Sequence, residues 1–318
     1  MQRSPFGKTA DGQPVERITL ENGALSVSIL TLGATLQDAR LNGQDRPLTL
    51  GSDRVEEYAE GGAFQYFGAI VGPVANRIGK ARAPLDGRVL TLEANGAGGH
   101  ALHGGATGLH QKLWKVETAE AGRLLLSTTA PDGEGGYPGN RRFEAEFTLD
   151  GAALVLALRA ETDAPTLVNL ANHSYWNLGG TADFHGHLLQ IDAESYLPAD
   201  DTVLVTGEIR PVAETAMDFR TPRVLTAADA IDHNFCLSRA RGALRDVASL
   251  TAPDGTRLTI ATTEPGLQIF DARQAGRAGL AIEAQFWPDA PNHADFPSVR
   301  LEPGDNWEQV TRFSFVRA

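Results

Sequence analysis

The sequence has few of the residues that form cross-links or cross a membrane. Cys236 is the single cysteine in 318 residues, so the chain has no internal disulfide. Its neighbours Phe235 and Leu237 predict a buried thiol rather than a nucleophile. No apolar run approaches the ~18 residues of a membrane span, and the first residues, MQRSPFGKTADGQ, contain no apolar leader. These features predict a cytoplasmic protein that does not enter a membrane.

Basic residues are also scarce. The chain has 28 Lys and Arg against 40 Asp and Glu, a formal net charge of −12. Nucleic-acid binding depends mainly on Lys and Arg, so this balance argues against a nucleic-acid partner. The charge favours a neutral small molecule over an anionic one, although a local arginine cluster would still accommodate a sugar phosphate.

Several catalytic motifs are missing. There is no G-x-S-x-G nucleophile motif, no phosphate-binding P-loop and no dinucleotide glycine fingerprint. The sequence therefore predicts no nucleotide cofactor. The paired carboxylates of a glycoside hydrolase have no fixed spacing in a sequence, so that alternative stays open at this point.

The composition is that of one globular domain. Hydrophobic residues make up 42% and charged residues 21%, with no linker-like stretch and no repeat of fixed period. Although 318 residues would also accommodate two domains, no shift in composition marks a boundary. We expect a single domain spanning residues 1–318.

Tight-turn signals are the most frequent local pattern. Apolar and polar residues alternate over 25–29, 143–149 and 154–158, as in strands with one buried face. Helical patterns are confined to 52–60 and 226–231, too short to connect parallel strands. The sequence predicts an all-β fold, a large antiparallel β-sandwich with a few short helices. Asp-Gly or Asn-Gly pairs, which tolerate the positive φ angles of β-turns, occur at 11–12, 22–23, 42–43, 86–87, 95–96, 132–133, 150–151 and 254–255.

Five segments carry polar and aromatic residues that strand packing does not require. In NHSYWNL, His173 stands among amides, a hydroxyl and two flat rings, a mixture that suits the hydroxyls and C–H faces of a sugar. A structural histidine on a strand is an equally good interpretation of His173 alone. The segments are GPVANRIGKA (72–81), GHALHGG (99–105), NHSYWNL (172–178), IDHNFCL (231–237), and EPGLQIFDA (264–272) with IEAQFWPDAPNH (282–293).

Glu283 lies between apolar neighbours on a predicted strand. A carboxylate there either faces solvent or occupies a pocket that tunes its pKa for proton abstraction. From this residue alone, the solvent-facing interpretation is favoured.

Two histidine pairs have spacings that zinc sites also use. They are His100 with His103, and His185 with His187. Zinc sites usually add further ligands, and strand residues two apart share a face in any case. The spacing is weak evidence, and we expect no functional metal.

In this order, the segments resemble the aldose 1-epimerase (galactose mutarotase) family. The resemblance extends from Gly33 to LEPGD at 301–305. It implies a β-sandwich with an open sugar-binding cleft. Its most specific parts are ANRIG (75–79), LHGG (102–105), NHSYWNL (172–178), DHNF (232–235) and the E-x-Q…P-D-x-x-N string from Glu283 to Asn292.

The resemblance also implies roles for individual residues. His173 matches the family's general acid, which protonates the ring oxygen, and Glu283 matches the general base, which takes the proton from the C1 hydroxyl. The implied reaction interconverts the α and β anomers of a free hexose or pentose by ring opening and reclosure, without metal or cofactor. Six further positions match residues that hold the sugar: Asn76, Arg77, His103, Tyr175, Asp232 and Gln268.

Two segments depart from the family pattern and bear on substrate preference. Pro73 stands where many relatives have Arg, and IFDARQ (269–274) stands where relatives often have an aromatic followed by Thr-Gly-Asn. One alternative function is non-catalytic sugar binding on the same fold, which the presence of both His173 and Glu283 disfavours. The other is an enzyme for a modified or phosphorylated sugar, which the lack of an added Arg or Lys cluster disfavours.

Overall fold

The computed structural model describes residues 1–273, 276 and 278–317, and strands dominate it. The first half of the chain contains β1 (Gln2–Lys8), β2 (Pro14–Glu21), β3 (Leu25–Leu30), β4 (Thr35–Leu41), β5 (Ile70–Val71), β6 (Arg77–Ile78), β7 (Arg82–Leu85), β8 (Arg88–Thr91), β9 (Ala101–Leu102), β10 (Lys115–Glu120), β11 (Arg123–Ala130), β12 (Arg141–Asp150) and β13 (Ala153–Thr162).

The second half continues the same pattern of short strands. It contains β14 (Thr166–Leu167), β15 (Ala171–Asn172), β16 (Tyr175–Trp176), β17 (Leu188–Ile191), β18 (Ser195–Leu197), β19 (Arg210–Pro211), β20 (Arg223–Val224), β21 (Asp232–Cys236), β22 (Arg245–Thr251), β23 (Arg257–Thr262), β24 (Gly266–Phe270), β25 (Leu280–Gln285), β26 (Arg300–Leu301) and β27 (Trp307–Val316). Helical structure in the described residues is limited to 3-10 turns at Val55–Tyr58, Gly79–Ala81, Ala97–Gly99, Leu109–Gln111, Glu134–Gly136 and Ala290–Asn292.

Three antiparallel sheets form most of the structure, which confirms the predicted all-β fold. The largest has nine strands in the order β10-β11-β12-β13-β27-β23-β22-β17-β20. The second has six strands in the order β16-β25-β24-β21-β18-β19, and the third consists of β1 to β4 in sequence order. No helix in the described residues is long and apolar enough to cross a membrane.

Turn chemistry explains where the hairpins form and where the helix predictions fail. The Asp-Gly and Asn-Gly pairs at 11–12, 22–23 and 150–151 connect consecutive antiparallel strands, as predicted. Residues 52–60 contain only the 3-10 turn Val55–Tyr58, and residues 226–231 contain a turn and no helix. In the second segment the Asp229 carboxylate accepts hydrogen bonds from the backbone N–H and hydroxyl of Thr226, which closes a local turn.

Alternation divides the six-stranded sheet into a core face and an open face. Leu267 and Ile269 on β24 and Ile282 on β25 belong to the main apolar core, which also includes residues of the other two large sheets. Successive strand residues point to opposite faces, so Gln268 and Glu283, which pair across β24 and β25, lie on the open face. The same alternation places further polar and aromatic side chains beside them.

The single thiol is a structural one. Cys236, at the end of β21, is buried and free, as predicted. Burial raises the pKa of this thiol to about 12, so it carries no nucleophilic thiolate at neutral pH.

Candidate active site

His173 and Glu283 lie side by side on the open face of the six-stranded sheet. His173 follows β15, Glu283 lies within β25, and the histidine Nε2 is 3.6 Å from Glu283 Oε1. Only 5% of His173 and 2% of Glu283 is exposed. The solvent-facing interpretation of Glu283 was therefore wrong. A carboxylate and an imidazole at this distance form a pair that exchanges protons with a ligand placed between or beside them.

Burial perturbs both groups of this pair. It lowers the pKa of His173 to about 3, and it raises the pKa of Glu283 well above its ordinary value. The negative charge of Asp232 raises the pKa of Glu283 further, while the positive charge of Arg77 lowers it. Both shifts disfavour the charged form, so burial favours a neutral imidazole beside a protonated carboxyl.

The side chains on either side of His173, Asn172 and Ser174, bond to the backbone and to each other rather than facing a ligand. The Asn172 amide donates to the carbonyl of Gly68, and the Ser174 hydroxyl donates to the Asn172 side-chain oxygen. The backbone N–H of His173 donates to the Ala69 carbonyl at 2.9 Å, and its own carbonyl accepts from the N–H of Gly68. These bonds attach the histidine to the segment before β5.

His103 faces the pair with a fixed tautomer. The backbone N–H of Asn76 donates to the ring nitrogen Nδ1 of His103 at 3.1 Å, and the backbone N–H of His103 donates to the Asn76 carbonyl at 3.0 Å. Asn76 has a φ of 61°, a left-handed conformation that asparagine tolerates better than most residues. Burial lowers the pKa of His103 well below its ordinary value, so the ring is neutral. With Nδ1 accepting, the ring proton lies on Nε2, and His103 presents a donor to the site.

His103, His173 and Glu283 form the only group of three metal-ligating side chains found in the described residues. Their ligand atoms lie within 4.8 Å of one another. The group does not fit a metal ion, because Nδ1 of His103 accepts the Asn76 amide and Nε2 carries a proton, which leaves this ring no lone pair for a metal.

The two histidine pairs singled out in the sequence have other partners. His100 accepts the Lys80 N–H at Nδ1 and lies 2.9 Å from the Thr202 hydroxyl through Nε2. His185 Nδ1 is 3.1 Å from an Asp183 carboxylate oxygen, and His187 Nδ1 is 2.9 Å from the Phe184 carbonyl.

Asp232 and Gln268 extend the polar surface across the next two strands. The Gln268 amide donates to Asp232 Oδ1 at 2.7 Å, from β24 to β21. Burial raises the pKa of Asp232 to about 6, and the nearby positive charge of Arg77 opposes that shift. Arg77, on β6, is half-buried, and its Nε has no hydrogen-bond partner among the described residues. These groups offer one cation, one carboxylate and one amide to a polyhydroxylated ligand.

Aromatic rings flank the acid–base pair. Tyr175 stacks with His173, with ring centroids 5.0 Å apart, and with Phe67 at 3.8 Å. Tyr66 stacks with His173 at 6.1 Å and lies 4.9 Å from His103. The eight residues predicted from the sequence thus lie in one contiguous cluster. Tyr66 was missed, because nothing in its segment of the sequence separates it from other aromatic residues near turns.

The departures from the family pattern lie near this cluster. Asp271 is fully buried and forms a two-point ion pair with Arg273, at 3.0 Å for each guanidinium contact. The charges of both residues act on Asp232. Gln274, the last residue of this segment, lies outside the described residues. At the other departure, the Pro73 carbonyl accepts the backbone N–H of Asn169 at 2.7 Å, which anchors the segment between β5 and β6 that carries Asn76.

Comparison with known proteins agrees with this geometry. The profile of the aldose 1-epimerase family matches residues 16–314. The galactose mutarotase of Sus scrofa is 37% identical, with 98% of each chain covered. The aldose 1-epimerase of Escherichia coli K12 is 33% identical, with 96% of each chain covered.

Solved structures share the fold. An aldose epimerase homologue from C. elegans superposes with a TM-score of 0.87 at 30% identity, over 95% of this chain and 99% of that one. A galactose 1-epimerase from Lactobacillus acidophilus has a TM-score of 0.86 at 26% identity, over 100% of this chain and 98% of that one. The chain therefore belongs to the aldose 1-epimerase family. It is an isomerase, a mutarotase that interconverts the anomers of an aldose, as the motifs implied.

Proposed function

We propose that the enzyme acts on neutral free aldoses, with His173 as the general acid and Glu283 as the general base. The observation that supports this assignment is the buried pair, with 3.6 Å between Nε2 and Oε1, on the open face of a sheet lined with hydrogen-bonding groups. The pKa of each group is displaced from its ordinary value by burial, as in sites that transfer protons.

Ring opening then needs two proton transfers. The neutral pair carries one proton, and the reactive form is the one in which this proton lies on His173. In that form the Glu283 carboxylate takes the proton from O1, the C1–O5 bond breaks as C1=O1 forms, and the His173 imidazolium gives its proton to O5. After rotation about C1–C2, neutral His173 takes the O5 proton, O5 attacks the other face of C1, and protonated Glu283 returns a proton to O1. Each positioned proton-transfer group is typically worth about 10²–10⁴ in rate.

The remaining groups hold the sugar and favour the charged form of the base. The positive charge of Arg77 lowers the pKa of Glu283 and so opposes the effect of burial. His103 presents its Nε2 proton to a ring or hydroxyl oxygen, and Asp232 with Gln268 offers acceptors and a donor to hydroxyls. Tyr175 supplies an apolar face beside His173.

Local charge favours a neutral substrate over a phosphorylated one. Two carboxylates, Asp232 and Glu283, lie on the open face with one guanidinium, Arg77, acting on both. The guanidinium of Arg273 is already paired with Asp271. Among the residues that the structure describes on this face, Arg77 is the cation available to a dianionic phosphate, and the two carboxylates would repel that ligand. We further propose that the protein acts in the cytoplasm, which its free, buried cysteine supports.

The test of this function is polarimetry of freshly dissolved α-sugars with protein dialysed exhaustively against a chelator. We expect the decay of optical rotation to accelerate for at least one neutral aldose, with galactose the first to examine because the relatives are named for it.

Full activity is expected after chelation, since both proton-transfer groups are side chains. If the protein binds sugars but the optical rotation of every aldose decays at its spontaneous rate, the function is non-catalytic sugar binding instead. Loss of activity that zinc restores would contradict the metal-free mechanism.

Arg77→Ala and Asp232→Ala are expected to weaken catalysis without abolishing it. Each removes a charged hydrogen-bonding group that holds the sugar, and hydrogen bonds to charged groups are worth roughly 1.5–3 kcal/mol. We expect kcat/KM to fall about tenfold to a hundredfold in each variant, measured by polarimetry on folded protein. If both variants match the wild type on every sugar, the sugar does not lie over β21, β24 and β6.

A further inference from the structure

The imidazole of His173 has no good hydrogen bond to another described residue. Its Nδ1 is buried and has no hydrogen-bond partner there, and its Nε2 lies 3.6 Å from Glu283, beyond a good hydrogen bond. In most sites a catalytic histidine is oriented by a carboxylate or carbonyl bonded to its second ring nitrogen. Here the backbone of His173 itself acts on the ring, and packing against neighbouring rings has to supply the rest of its orientation.

Tyr66 supplies part of that packing and contacts both histidines of the site. The planes of Tyr66 and His173 differ by 20°, with centroids 6.1 Å apart, and the Tyr66 ring lies 4.9 Å from the ring of His103. Offset stacking over 4.5–7 Å is favourable for aromatic pairs and restricts their rotation. Tyr175 stacks with His173 at the same interplanar angle.

The Tyr66 ring is itself held in place by further contacts. Its ring lies 4.7 Å from that of His110, which is buried, and burial lowers the pKa of His110 to about 4, so that ring is neutral. Tyr66 also packs against the small cluster of Val71, Ala75 and Ala171. Ala75 immediately precedes Asn76, and Ala171 lies two residues before His173, so one ring touches both segments that carry site residues.

We propose that Tyr66 is a positioning residue of the acid–base site, which holds the imidazole rings of His103 and His173 in the planes that proton transfer to and from the sugar requires. The inference rests on the proposed roles of His173 and Glu283. Tyr66 is half-buried and packs against the small cluster of Val71, Ala75 and Ala171, which is separate from the main apolar core, so its ring serves the site more than that core.

The test compares Tyr66→Leu with Tyr66→Phe. Leu removes the flat ring, so we expect kcat to fall about tenfold or more while KM changes less than about threefold, because small misplacements of catalytic groups are costly. Phe keeps the ring and should restore kcat to within about threefold of the wild type. Phe64→Leu is the matched control: Phe64 is also half-buried and packs at a tilt against Phe67 and Tyr58, but its ring contacts no histidine in the described part of the chain.

A crystal structure of Tyr66→Leu gives a readout that does not depend on turnover. We expect the His173 ring to be rotated or split between two orientations, with the fold unchanged. The proposal is overturned by an unchanged His173 ring, by a loss confined to KM, by a failure of Phe to restore kcat, or by an equal loss in Phe64→Leu. A wild type without catalysed mutarotation would overturn the proposed function, whereas an unchanged ring in Tyr66→Leu would overturn only this inference.

Discussion

Glu283→Gln is expected to retain sugar binding within a few-fold of the wild type while kcat for mutarotation falls at least a hundredfold. Glutamine keeps the shape and volume of the side chain and still holds a hydroxyl, but it accepts no proton. The carboxylate takes its proton only as the ring opens, so its contribution is made in the transition state and its loss appears in kcat. Polarimetry measures the rate, and calorimetric titration with sugar measures the affinity.

Glu264→Gln is the matched control for this variant. Glu264 is also a fully buried carboxylate, but it forms a two-point ion pair with Arg241 away from the site. Its loss should lower the melting temperature and leave kcat near that of the wild type. A Glu283→Gln protein that turns over at the wild-type rate would remove Glu283 from the chemistry.

His173→Gln should produce a loss of similar size, again at least a hundredfold in kcat. The histidine delivers the proton to O5 in the same event in which Glu283 removes the proton from O1. The loss of activation free energy in the double variant should therefore be much smaller than the sum of the losses in the two single variants. Residues that act as a unit give such non-additive losses.

The control for His173 is a buried histidine elsewhere in the chain. His187 is fully buried next to β17, and its Nδ1 contacts the Phe184 carbonyl. His187→Gln should keep kcat within about twofold of the wild type. Strict additivity of the two catalytic substitutions would mean that the acid and the base act in separate steps, contrary to the proposed mechanism.

Much of the fold followed from turn chemistry and alternation. The Asp-Gly turns and the alternating segments correspond to observed hairpins such as β12 and β13, because both signals depend only on neighbouring residues. The helical prediction at 226–231 failed for a local reason too: Asp229 bonds back to Thr226 and closes a turn. Pattern alone does not distinguish such a turn from the start of a helix.

The site could be predicted from the motifs but not from single residues. Taken alone, Glu283 suggested an exposed carboxylate, because the sequence does not show that His173 and His103, from distant segments, lie against its side chain. The polar residues Asn172 and Ser174 suggested sugar contacts, yet they bond to the backbone and to each other. Tyr66 had no signal, since its importance comes from rings contributed by distant segments of the chain.

The deep burial of both proton-transfer groups has a consequence for how the enzyme resets. In the proposed cycle, ring opening moves one proton onto Glu283 and one off His173, and ring closure reverses both movements. The protein finishes each turnover in its starting protonation state, with no net exchange with bulk water. A site with only 5% and 2% exposure at these two residues therefore needs no relay to the buffer. Its turnover should be indifferent to buffer concentration, even though the reaction consists of proton transfers.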